Sequence, residues 1–175
     1  MQVTISANGK NIKAEISEEQ AKILGLIEEQ RTGYERVEKR ETYYVINTED
    51  DSMINITEFN DQTDERCYNT GNYYSDKTIA ENNARADRLL RQLRQWQAQN
   101  DEPISVEDWN NESKKKWFII YSYSSEEMYA EYYYIMRLPN TIYFATKEKA
   151  EEAIEVFRDE LLWYFTEYQQ RLDEE

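Results

Sequence analysis

Residues 143–157 read YFATKEKAEEAIEVF, and residues 73–87, seventy positions earlier, read YYSDKTIAENNARAD. Tyr74, Lys77, Ala80 and Glu81 answer to Phe144, Lys147, Ala150 and Glu151, and each set surrounds a residue suited to cap a helix, Asp76 or Thr146. An aromatic strand end running into a capped helix, written twice, constrains the chain to two copies of one unit. Ahead of the first helix, TYYVIN and MINITEF are β-rich runs separated by the polar TEDDS, and RCYNTGNYYS offers a third strand. Ahead of the second, KKKWFIIYSYS, MYAEYYYIMR and TIYFA repeat the pattern. One three-stranded sheet with one helix buries little, so two such units are expected to share a core or to pair edges into a larger sheet.

The helices carry the apolar periodicity this requires. In the first, Ile79, Ala86, Leu89, Leu90, Leu93 and Trp96 share a face about 120° wide, with Arg85, Arg88, Arg91 and Arg94 outside it, where pairing within the chain suits them. In the last, Ala150, Ala153, Ile154, Phe157, Leu161 and Tyr164 fall on one side of what reads as a single long helix. At the N-terminus, Val3 and Ile5 alternate toward Asn8-Gly9, a strong hairpin signal, and Ile12, Ala14 and Ile16 alternate away from it. Ser17 and Gln20 then form a capping box for a short helix that Gly25 ends. The predicted fold is α+β: a hairpin and short helix in residues 1–40, a βββα unit in 41–100, a connector over 101–113, and a second βββα unit in 114–175.

Charge and residue usage exclude several functions. The chain has 36 acidic and 21 basic residues and no histidine, a formal charge of −15. Such a surface repels nucleic acid and anionic membranes and attracts basic partners, although solubility alone accounts for it too. Fifteen tyrosines and 14% aromatic residues distinguish it from disordered acidic chains. Without histidine, the common zinc sites and thiol–imidazole pairs are ruled out, and the single Cys67 is expected as a half-buried strand residue. There is no Gly-rich phosphate loop, no G-x-S-x-G and no H-E-x-x-H, so neither a cofactor, a metal nor a catalytic residue is assigned. A hydrolase or nuclease would have to work with carboxylates, Asp61 and Asp64 among them. No apolar run approaches the roughly 18 residues of a membrane span, and the N-terminus lacks a signal-type apolar region, so a cytoplasmic location is expected.

Two stretches concentrate the negative charge. Residues 41–70 hold eight acids against one base, including Glu58, Asp61, Asp64 and Glu65, and residues 147–175 hold ten acids against four bases. In the second stretch Glu148, Glu152, Glu155 and Asp159 stack along the helix side opposite the apolar face. Over about 16 Å of helix they set a carboxylate roughly every 5 Å, sparser than duplex DNA but similar in kind to a phosphate track. The two stretches together suggest one electronegative surface. Trp163, off the main apolar face, and Tyr132 and Tyr134, on a strand with tyrosines on both faces, are residue types that anchor protein interfaces or self-association. Lys114, Lys115 and Lys116 read as guards against pairing of an exposed strand edge.

In ISEEQAKILGLI, TGYERVEKRETYYVIN, YNTGNYYSDKTIAENNARADRLLRQLRQW and IYFATKEKAEEAIEVFRDEL, the sequence resembles small proteins carried by phages and prophages of low-GC Gram-positive bacteria. The shared motifs are structural: a YYYI strand pair, a Gly-Asn-aromatic strand and a T-x-E-x-A-E helix. The resemblance implies a phage setting and carries over no catalytic residue. Some phage proteins of this size disarm host defence, anti-CRISPR proteins among them. Taken with the charge, it raises the expectation of a non-enzymatic inhibitor that occupies the nucleic-acid site of a basic host protein. A carboxylate-dependent phage nuclease and a virion or assembly accessory are the alternatives.

Overall fold

A computed structural model describes residues 2–7, 10–26 and 31–174 and shows an α+β fold. Strands β1 (Gln2–Ala7) and β2 (Lys10–Glu15) pair antiparallel from Gln2↔Glu15 to Ala7↔Lys10, and the Asn8-Gly9 turn lies outside the described residues. Helix α1 (Glu18–Ile23) carries the expected capping box: the Ser17 hydroxyl accepts from the Gln20 N–H at 3.1 Å, and the Ser17 N–H donates to the Gln20 side chain at 3.0 Å. Gly25 follows at φ 63, in the left-handed region.

In the first unit, β3 (Thr42–Ile46) and β4 (Met53–Thr57) form an antiparallel hairpin. The expected third strand is reduced to a single bridge, in which Tyr44 and Tyr74 exchange N–H···O bonds of 2.8 and 2.9 Å. The front of RCYNTGNYYS is helical instead, as the end of α2 (Gln62–Asn69). Asp61 caps the Thr63 and Asp64 N–H groups, while the Asp64 carboxylate returns to the Asp61 N–H. That reciprocal cap starts a helix despite the β-like residues beyond it, and Gly71 at φ 73 ends it. Cys67 is therefore a half-buried helix residue, not a strand residue.

The second unit repeats the plan. Strands β5 (Lys116–Ser122) and β6 (Glu127–Tyr133) pair antiparallel, and Trp117 and Phe144 form the single bridge. In each unit the later bridge residue, Tyr74 or Phe144, lies two positions before a helix cap. Asp76 accepts from the Ile79 N–H to open α3 (Lys77–Asn100), and Thr146 accepts from the Lys149 N–H to open α5 (Lys147–Val156). Lys77–Glu81 and Lys147–Glu151 make the same i,i+4 ion pair in the two first turns. The last helix is not continuous: at Phe157 (φ −111, ψ 20) the chain bends, and α6 (Arg158–Thr166) follows. The connector contains a short helix, α4 (Val106–Asn110), capped by Ser105 and Asp108.

The hairpins remain separate two-stranded sheets and meet through α3 instead of joining edges. An isolated hairpin is marginal in water, and the β3–β4 ribbon is covered on both faces. Near the start of α3, Ile79 and Ala80 pack with Tyr74 under one face of the first ribbon, joined by Tyr34, Tyr44, Ile46 and Leu172. Tyr43, Val45 and Tyr73 form a separate cluster on its other face with Val37, Ile56 and Cys67. Farther along the same helix, Leu89 and Leu93 enter the core of the second unit with Ala130, Phe144, Ala150, Ala153 and Leu161. One 24-residue helix, about 36 Å long, thus supplies both units with apolar surface. Residues 31–40, expected with the N-terminal hairpin, pack instead into the first unit: the Ser75 N–H donates to the Gly33 carbonyl and the Val37 N–H to the Tyr73 hydroxyl. Among the described residues no helix is long and apolar enough to cross a membrane.

Candidate partner-binding surface

The carboxylate row sits on α5 and α6. Glu148, Glu152 and Glu155 on α5 and Asp159 on α6 are all exposed, while Ala150, Ala153 and Ile154 turn inward. Within the row, Glu152 pairs with Lys149 at 2.6 Å and Glu155 with Arg158. Glu148 and Asp159 have no cation within ion-pair distance among the described residues. Val156 follows Glu152 by one turn and is 55% exposed, and Leu162 follows Asp159 by three residues and is 41% exposed, which sets apolar contact area beside the charge.

Trp163 does not belong to that exposed set. It is only 8% exposed. The Arg85 guanidinium lies 3.9 Å from its ring centroid and makes a two-pronged ion pair with Glu160 at 2.8 and 2.9 Å, while the Tyr168 ring covers it from the segment beyond α6. Its cover comes from α3 and the chain's return, which a helical wheel of the last helix does not contain. Tyr132 is half-buried against its cross-strand neighbour Trp117, with the Lys115 ammonium 4.1 Å from its ring centre. Tyr134 is exposed and edge-on to Tyr132 at 5.4 Å, and the exposed Ile135, Met136 and Leu138 continue from it beyond the end of β6.

Within the acidic stretch 41–70, Glu58 and Asp64 are taken into the interior of the first unit, which corrects the expectation that they belong to an electronegative surface. Glu58 is 0% and Asp64 2% exposed. Glu58 accepts from the Tyr73 hydroxyl at 2.8 Å, the Asn60 N–H at 2.7 Å and the Arg36 guanidinium at 3.3 Å. Asp64 accepts from the Tyr43 hydroxyl at 2.8 Å, the Phe59 N–H at 2.8 Å and the Asp61 N–H at 3.1 Å. The Tyr43 and Tyr73 rings stack at 4.0 Å, joining the two carboxylates into one buried polar knot. Burial pushes the Asp64 pKa up, but the Phe59 N–H, the Tyr43 hydroxyl and the Asp61 N–H together outweigh it and hold it at about 2. Burial, followed by the carboxylate each one donates to, raises both tyrosine hydroxyls. Of the remaining pair, Glu65 is exposed and bound to Arg36 at 2.6 Å, and Asp61 is the helix cap. Both oxygens of Asp64 and Oδ1 of Asp61 accept hydrogen bonds at the start of α2. No group of metal-ligating side chains occurs among the described residues.

Three of the four arginines of α3 act within the chain. Arg88 and Arg91 both bind Asp51, and Arg85 binds Glu160. Of the three lysines at 114–116, Lys114 pairs with Asp108, and Lys116 is fully buried, donating to the carbonyls of Asn111 and Tyr134 beneath Trp109. Lys116 thus anchors α4 and is not an edge guard. Glu58 and Asp64 are thus buried and Asp51 and Glu65 paired, while the α5–α6 face holds Glu148, Glu152, Glu155 and Asp159 exposed. Comparison with family models, with curated proteins and with solved structures gives no match.

Proposed function

We propose that this chain is an acidic, non-enzymatic binding protein of a phage or prophage that engages a basic, nucleic-acid-handling host protein, such as a defence nuclease, in the host cytoplasm and occupies its nucleic-acid site. The observation that carries this reading is the row Glu148, Glu152 and Glu155 on α5 and Asp159 at the start of α6, all exposed, with the exposed Val156 within it and Leu162 just beyond it. Carboxylates at phosphate-like intervals attract a site built for a polyanion, and the apolar side chains supply contact that survives screening. The test is the variant E148Q/E152Q/E155Q/D159N in an affinity capture from lysogenic or infected host cells at moderate salt. Wild type should retain one dominant basic partner that the variant loses. Equal retention by both proteins would remove the row from the mechanism.

A further inference from the structure

Between α3, β5 and α6 lies a cleft of about 260 Å³ walled by Leu90, Leu93, Ile119, Leu161, Tyr164 and Phe165. Its remaining side is the segment Pro139–Ile142, and Pro139, Asn140 and Thr141 also line a second, open depression that Arg94 and Arg137 flank. The two spaces therefore share one wall, with hydrocarbon on one side and guanidinium on the other. Arg94 stands one helical turn beyond Leu90, so its side chain leaves α3 at the rim of the apolar cleft. Arg36, Arg85, Arg88, Arg91 and Arg158 each bind a carboxylate. Arg94 has none within ion-pair distance among the described residues, while the Arg137 guanidinium lies over the Trp109 ring, 5.2 Å from its centre.

We propose that the cleft binds a small amphipathic carboxylate, with its hydrocarbon part between α3 and α6 and its carboxylate at Arg94. The cleft has room for about eight or nine water-sized groups at ~30 Å³ each, which suits a chain of roughly eight carbons. Apolar walls with a few polar groups at one end are the usual form of a small-ligand site. A guanidinium selects a carboxylate head over a hydroxyl by two parallel N–H···O bonds.

The probe is octanoate, compared with hexanoate and 1-octanol, titrated into the isotope-labelled full chain and followed by amide chemical shifts. Saturable submillimolar octanoate binding is expected, with shifts confined to residues 89–94, 119, 139–142 and 161–165. Removing two methylenes should weaken it roughly tenfold, at about three- to fourfold per methylene. R94Q, an exposed substitution, should weaken octanoate roughly fivefold and leave octanol unchanged. Leu90→Trp, which fills the cleft from α3, should abolish binding of both. The proposal is overturned if octanoate gives no saturable shift, if its shifts spread over the whole chain, or if R94Q binds octanoate as wild type does.

Discussion

Replacing Asp64 by Ala removes the acceptor for three donors at once: the Tyr43 hydroxyl, the Phe59 N–H and the Asp61 N–H. Tyr43 is 0% exposed, so its hydroxyl cannot turn to water. A hydrogen bond to a charged group contributes about 1.5–3 kcal/mol, and an unpaired buried donor costs about 1–3 kcal/mol. Such terms overlap within one network, so the expected loss is about 3–5 kcal/mol, less than their sum. Against a stability of about 5–15 kcal/mol for a domain, that is a large fraction, equivalent to roughly 6–20 °C in Tm at this chain length. Urea unfolding followed by circular dichroism measures it directly. Tyr43→Phe alone should cost about 1–2 kcal/mol, and the double variant should fall short of the sum of the singles by about 1 kcal/mol, because both remove the same bond. If Asp64→Ala costs less than about 1 kcal/mol, Asp64 is a solvated surface carboxylate and the buried knot does not hold α2.

Stability should be level above about pH 5 and fall between about pH 4 and 2, because the folded pKa values of Asp64 and Glu35 lie below their unfolded ones, so both stabilise above the unfolded pKa and lose that effect on acidification. At Glu35 burial pushes the pKa up, but the Thr32 hydroxyl and N–H together with Ser75 outweigh it and bring it to about 2; the double variant Asp64→Asn/Glu35→Gln should flatten the acid limb measured by thermal melts. Gly33→Ala should cost about 2–4 kcal/mol by chemical denaturation, since φ is 94 there and the added methyl would stand 2.8 Å from Cγ1 of the fully buried Ile79. Arg85→Ala should uncover Trp163, shifting its fluorescence to the red, and cost about 1 kcal/mol for a partly exposed ion pair and its stacking.

What could be read from the sequence was local. The caps at Ser17, Asp76 and Thr146 depend on a side chain and a backbone group three residues away, and all three form. The apolar face of α3 follows from periodicity alone, and Ile79, Ala86, Leu89 and Leu93 are buried as that face requires. Helix α2 was legible in principle: Asp61-x-x-Asp64 is a capping box with Asp in the place usually held by Glu, but the aromatic residues after it read as strand. The third strands shrink to the bridges Tyr44–Tyr74 and Trp117–Phe144, because a helix cap, Asp76 or Thr146, follows each bridge only two residues later. The burial of Glu58 depends on Arg36, 22 residues earlier, and that of Trp163 on Arg85, in another helix. No window of sequence contains either pairing, so acid density passed for an exposed surface at Glu58 and Asp64 and an off-face indole passed for an interface residue.

The central claim is that the α5–α6 carboxylate row takes the place of nucleic acid on a basic partner. Its most direct measurement is fluorescence anisotropy of a labelled nucleic acid bound to the captured partner, titrated with this chain or with E148Q/E152Q/E155Q/D159N near physiological salt. The account predicts that wild type releases the nucleic acid, that the variant requires at least about tenfold more protein, and that raising salt weakens wild type more steeply than the variant. Simultaneous binding of this chain and the nucleic acid, or equal displacement by wild type and variant, would contradict it.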